Sequence, residues 1–198
     1  MEKKMKAPLI NTKNLNITLN FFAPDDIPGL VAGESVELKP ATCAHPTDVP
    51  AIGEYWEGQG GIYAGRVPPK DGQSSYYLIV AGDDVGRCAW SSHSHEISAR
   101  RKWDGMANTA AMLESESPAA RAAVAFVADG HEDFYLPARA ELAICELNVP
   151  EVFANDRYWS STQVAAGISF CVGLHDGSSF YGKKHETFLV RPVRRVLI

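Results

Sequence analysis

Cysteine is scarce: four in 198 residues, Cys43, Cys88, Cys145 and Cys171, with no C-x-x-C among them. That excludes a zinc ribbon and a thioredoxin-type redox site, both of which need paired thiols at short spacing. Four cysteines allow three pairings and spacing does not choose among them; free, mostly buried thiols are expected. No apolar run reaches the ~20 residues of a membrane span, and no membrane insertion is expected. The positive N-terminus runs from Leu9-Ile10 straight into Asn11-Thr12-Lys13-Asn14, with no apolar segment between, so no secretory signal is read. Excess positive charge is also missing. Lys and Arg number 19 against 24 Asp and Glu, a net charge of -5, so no nucleic-acid partner is expected. No G-x-S-x-G occurs, and Gly58-Gln59-Gly60-Gly61 lacks the lysine and helix that would make it a phosphate loop.

The composition that remains is that of a globular chain, 45% hydrophobic and 22% charged. Sixteen Gly and twelve Pro favour many turns over a long helical bundle. In residues 1–50, Leu15, Ile17, Leu19 and Phe21 alternate with Asn14, Asn16, Thr18 and Asn20, the period of a strand with one apolar face. Turn residues from Ala23 to Gly29 end it, and Pro40, Pro46 and Pro50 punctuate the extended stretch beyond. A lone strand cannot bury its face, so residues 1–50 are read as an extended β arm for attachment or oligomerisation, and residues 51–198 as the main domain.

There, Gly60–Gly65 and Tyr76–Ala81 read as a hairpin around the loop Pro68–Gly72. Helices are predicted at Asp104–Leu113, at Ala119–Ala128 with Ser117 as N-cap, Pro118 at the first helical position and Gly130 past the end, and at Ala138–Leu147. Val124 and Val127 are expected to anchor the second helix, and Leu142, Cys145 and Leu147 the third. The C-terminal third is β: Ile168–Leu174, an Asp176-Gly177 turn, Ser178–Gly182, and a last strand Phe188–Val196 with an edge or bulge at Pro192. Strands, then helices, then strands give an α+β domain, a mainly antiparallel sheet with two or three helices.

Four segments carry a resemblance: Trp103-Asp104-Gly105-Met106-Ala107-Asn108-Thr109-Ala110, Asp133 to Leu142, Tyr158-Trp159-Ser160-Ser161-Thr162, and Val190-Arg191-Pro192-Val193-Arg194-Arg195. In this order they resemble the bacterial and phage domain of unknown function at the C-terminus of the Lcl collagen-like adhesin, over roughly residues 52–196. Phe134-Tyr135 stands where that family commonly has Trp-Arg, and Ala138 where it has Thr. The resemblance implies a C-type lectin-like fold, shared with formylglycine-generating enzymes and with retroelement variable proteins. It also implies a non-enzymatic phage virion protein, localised to the virion: a tail-fibre tip or receptor-binding protein, or a capsid decoration. Its partners would be other virion proteins through the arm and a host cell-surface protein or glycan, and a homotrimer would suit a fibre or capsid threefold. The alternatives are an oxidase of the formylglycine-generating type and a bacterial adhesin or retroelement-diversified display protein.

In the retroelement proteins the ligand face follows the Trp-Ser-Ser-type strand. Carried over, it implies a binding surface of Gln163, His175, Asp176, Ser178, Ser179, Tyr181, Lys183 and His185, with Lys184 in the same segment. Small polar residues with Tyr and His suit adaptable recognition. Trp103, Trp159 and Arg191 are read as structural, and Glu141 as solvated or paired with a C-terminal arginine. No metal or cofactor is expected. His93 and His95 share one strand face but lack a third ligand at metal-binding spacing. Calcium is conceivable at Asp83-Asp84 or Asp129–Asp133, though neither matches an EF-hand loop. Cys171 and His175 are close enough in sequence to pair, but a buried structural thiol is the preferred reading.

Overall fold

The computed structural model describes residues 49–70, 72–173 and 178–198. The arm's Leu15, Ile17, Leu19 and Phe21 lie outside the described residues, as do His175 and Asp176. The described part is α+β, with two sheets and three helices. Strands β1 (Tyr55–Trp56), β2 (Gly61–Val67) and β3 (Tyr76–Val80) join the last strand, β9 (Val193–Leu197), in the order β1-β2-β3-β9, all antiparallel. The second sheet contains β4 (Arg87–Ala89), β5 (Arg157–Ala165), β6 (Ile168–Gly173), β7 (Ser178–Lys183) and β8 (Thr187–Leu189), in the order β4-β8-β5-β6-β7. Only the β5–β8 contact is parallel.

The expected last strand Phe188–Val196 is therefore two strands in different sheets. Val190-Arg191-Pro192 crosses between them, and Pro192 neither sits at an edge nor makes a bulge. Its missing N–H costs nothing in this crossing, while its carbonyl accepts from Ala81 N–H at 2.9 Å.

Helix α1 (Gly105–Glu114) is capped by Asp104, whose carboxylate accepts from Ala107 N–H at 3.1 Å. Helix α2 (Pro118–Val124) has the expected Ser117 cap and leading proline, but it is shorter than expected. The chain leaves the helix at Ala125 and makes a two-residue turn at Asp129-Gly130, both with positive φ (49° and 78°). Val127 consequently lies outside α2 and is 54% exposed; Ala119, Ala120 and Ala123 are the buried residues of this helix. Helix α3 (Arg139–Asn148) buries Leu142 and Cys145 as expected, but Leu147 is 80% exposed, because the helix turns that side away from both sheets.

The largest core lies between α1, α2 and the second sheet. Trp90, Trp159, Met112, Leu136 and Val190 pack there against the α2 alanines. A second core joins α3 to the first sheet through Ala64, Val67, Leu78, Tyr135, Cys145 and Val193. On the other face of that sheet, Trp56, Tyr63 and Tyr77 make edge-to-face contacts at 5.5 to 5.6 Å. Both faces of β6 are buried: Phe170 and Val172 meet Leu142 and Tyr158, while Cys171 joins the Trp159 core.

The four segments that carry the resemblance converge on one buried polar knot. Glu141 is fully buried and accepts from Tyr76 Oη (2.6 Å), Tyr135 Oη (2.7 Å), Ala138 N–H (2.7 Å) and Gly105 N–H (3.1 Å). It is neither solvated nor ion-paired. Arg195 instead pairs with Asp104 at 3.1 Å and stacks on Tyr76 and Tyr135, the two rings that donate to Glu141. Burial raises the Glu141 pKa despite the four donors. Gly105 lets the starts of α1 and α3 meet, since a Cβ there would lie 2.6 Å from Ala138 N. Ala138 takes the N-cap place of α3 without a capping side chain; Glu141 takes its N–H, and Thr162 Oγ1 accepts from Arg139 N–H at 3.0 Å.

Candidate functional site

Strands β6 and β7 pair Ile168 with Lys183, Phe170 with Tyr181 and Val172 with Ser179. Residues directly opposite in an antiparallel pair point to one face, so Ser179, Tyr181 and Lys183 share the face of Phe170. All three are exposed, Tyr181 at 68%. The Tyr181 ring meets that of Phe170 edge-on at 6.2 Å, and the Arg139 guanidinium lies 4.7 Å from the Phe170 centroid. An exposed aromatic on a paired strand is thus linked through a buried one to the first residue of α3. His185, just beyond β7, is exposed, and Ser178 is half-buried.

Beside this face runs an open groove of about 410 Å³. Trp103, Phe170, Ala140, Ala143, Ile144 and Leu147 supply its apolar lining, and Lys102, Arg139 and Ser179 its polar groups. Sequence reasoning alone reads Trp103 as structural and puts Leu147 in the core. The signal that could have found the groove is the spacing 140, 143, 144, 147, an apolar stripe on a helix whose core side is already supplied by Leu142 and Cys145.

Two residues of the expected surface segment turn inward. Gln163 is 3% exposed: its Oε1 accepts from Ile97 N–H (3.1 Å) and Lys184 Nζ (2.6 Å), and its Nε2 donates to Ile97 O (3.3 Å). Lys184 is 1% exposed, donates also to His95 O at 2.8 Å, and lies 4.6 Å from the Trp90 ring centroid. Burial lowers its pKa to about 8. The pair fastens the segment from Ser91 to Arg101 onto β5 and contributes nothing to an exposed face. Alternation explains it: Lys184 follows an outward Lys183, and a long cation with three donors can be buried when carbonyls and a ring receive it.

The His93 and His95 rings lie 5.6 Å apart on the surface, and among the described residues no group of three His, Cys, Asp or Glu is placed to hold a metal ion. Three carboxylates of the two acidic turns are engaged by protein donors. Asp129 accepts from Tyr55 Oη, Gly58 N–H and Gly60 N–H, while Asp84 accepts from Arg191 and Tyr158 and Asp133 from Arg194. Cys88, Cys145 and Cys171 are free thiols; burial raises all three pKa values, that of Cys171 to about 11. Trp159 and Arg191 are structural. Trp159 Nε1 donates to Cys88 O in β4 while Trp90 Nε1 donates to Ser160 O in β5, so the two indoles tie β4 and the residue just beyond it to β5.

No protein-family model matches the chain, and no curated protein matches it.

Proposed function

We propose that this chain is a non-enzymatic recognition module of C-type lectin-like fold, carried on a bacteriophage virion and directed at a host cell-surface protein or glycan. The observation that carries the reading is Tyr181, 68% exposed on a strand whose partner, β6, is buried on both faces. A rigid aromatic presented with Ser179 and Lys183 offers a large contact at little cost in ordering, the property that makes tyrosine frequent in recognition surfaces. The phage setting rests on the resemblance of the four segments. Residues 1–50 would attach the module to other virion proteins, as a homotrimer. The oxidase alternative needs thiolates at neutral pH, and burial of Cys145 and Cys171 works against them.

Replacing Tyr181 and His185 together with Ala tests the reading. Both side chains are exposed, so the melting temperature should hold while adsorption of particles to host cells falls by about tenfold, the loss of one interface anchor. Unchanged adsorption at normal occupancy would overturn receptor binding.

A further inference from the structure

The groove beside α3 has features that the Tyr181 face does not need. Ala140, Ala143, Ile144 and Leu147 stand at i, i+3, i+4 and i+7, a stripe along two turns of helix. Ala140 and Ala143 are small enough for another backbone to come close, and Leu147, 80% exposed, projects at the far end. Trp103 and Phe170 line the groove below them. Its charged lining residues, Lys102 and Arg139, are both cations in a chain of net charge -5, and neither forms an ion pair among the described residues. They sit together where α3 begins, since Lys102 O accepts from Ala140 N–H at 3.0 Å. Leu147 lies eight residues on from Arg139, about 12 Å at a rise of about 1.5 Å per residue.

We propose that this groove docks an amphipathic helix of a partner polypeptide, acidic at the end that meets Lys102 and Arg139 and apolar at the end that meets Ile144 and Leu147. The proposal rests on the reading of the molecule as a recognition module and names the partner's chemistry. A sugar is a poorer match, because along the α3 stripe its hydroxyls would face four aliphatic side chains, with hydrogen-bonding groups only at Lys102, Arg139 and Ser179. A helix fits because its own i, i+3, i+4 ridge meshes with a ridge of the same period. Its acids find two cations without an ion pair to break.

The test uses the full chain and three designed helices of about 18 residues, long enough to hold helical structure. They share one leucine face and carry Glu, Gln or Lys on its flank. Binding is read by fluorescence anisotropy. The Glu helix should bind at least about tenfold more tightly than the Lys helix; Leu147→Asp should weaken it about tenfold, and Lys102→Glu with Arg139→Glu should reverse the preference. Leu147 is exposed enough for its replacement to leave the fold intact, which circular dichroism checks. Equal binding of the three helices, binding of none, or indifference to Leu147→Asp would overturn the proposal. So would a self-association of the full chain that Leu147→Asp abolishes, which would give the groove to a second copy, or polygalacturonate binding with the same sensitivity, which would give it to an acidic glycan. Failure of the two readings is distinguishable. No helix binding with adsorption still dependent on Tyr181 and His185 removes the groove alone; Glu-helix binding with adsorption indifferent to them removes the receptor-binding reading alone.

Discussion

Lys184 sits in the second sheet's core region, beside Trp90, with its ammonium held by His95 O and Gln163 Oε1. Those contacts favour the charged form, yet burial dominates and its pKa falls to about 8 from the ordinary 10.5. The unfolded chain therefore holds this proton to higher pH than the folded one. Stability must rise with pH wherever the unfolded state binds more protons. The Lys184 contribution is complete above about 10.5 and is lost as pH falls through about 8. Tyrosines and thiols titrate in the same range, so the clean readout is a difference. Denaturant unfolding of the native chain and of Lys184→Met, from pH 7 to 10.5, should give a gap that moves in favour of the native chain by up to about 3 kcal/mol, at about 1.36 kcal/mol per pH unit. A gap that stays level across this range would mean that the ammonium is hydrated in the folded state. The sequence did not reveal this burial, because a Lys-Lys-His run reads as a solvated stretch until the strand's alternation places one lysine inside.

At the scale of elements, α2 shows what holds a seven-residue helix in place. Ser117 is 1% exposed; its Oγ accepts from Ala120 N–H at 3.2 Å and donates to Trp90 O at 2.5 Å. One hydroxyl thus caps the helix and ties it to the segment after β4. Ser117→Ala loses both bonds, and the buried Trp90 carbonyl loses this donor. The expected cost is about 1 to 2 kcal/mol in thermal or urea unfolding; a change within a few tenths would show that the helix is held by its alanine face alone. The starts of all three helices, expected at Asp104, after Ser117 and at Ala138, lie within a residue of those observed, because start signals such as Ser117-Pro118 act locally. The end of α2 does not. Alanines continue the helical preference to Ala128, and only the Asp129-Gly130 turn, with Asp129 gripping Tyr55 in β1 and Gly60 just before β2, draws the chain out earlier. The same limit applies to the candidate surface. Ser179, Tyr181 and Lys183 were named from the resemblance alone, and it is the β6–β7 register that puts them on one exposed face; Gln163 inside and Leu147 outside depend on what packs across from them.

The whole described molecule depends on how its two sheets are joined. Val190-Arg191-Pro192 carries the chain from β8 to β9, and α3 contacts strands of both sheets. Arg191 is 5% exposed at this crossing. Its guanidinium donates to Ala81 O (3.0 Å), Gly82 O (2.7 Å), Val152 O (2.8 Å) and Asp84 Oδ1 (2.6 Å), and lies 5.3 Å from the Phe153 ring centroid. It binds the end of β3 to the turn after α3 from within the connection itself. Arg191→Ala strips three carbonyls and a carboxylate of this partner, an expected cost of about 3 to 5 kcal/mol. Arg191→Lys keeps the charge but not the planar fork, and should recover only part of that cost. Amide hydrogen exchange separates a local effect from a global one. If the sheets unfold together, protection of Leu78 in the first sheet and Val172 in the second should fall by the same factor in Arg191→Ala. A fall confined to Leu78 would make the first sheet a separate unit, and the rigidity assigned to the Tyr181 face would then come from the second sheet and its helices alone.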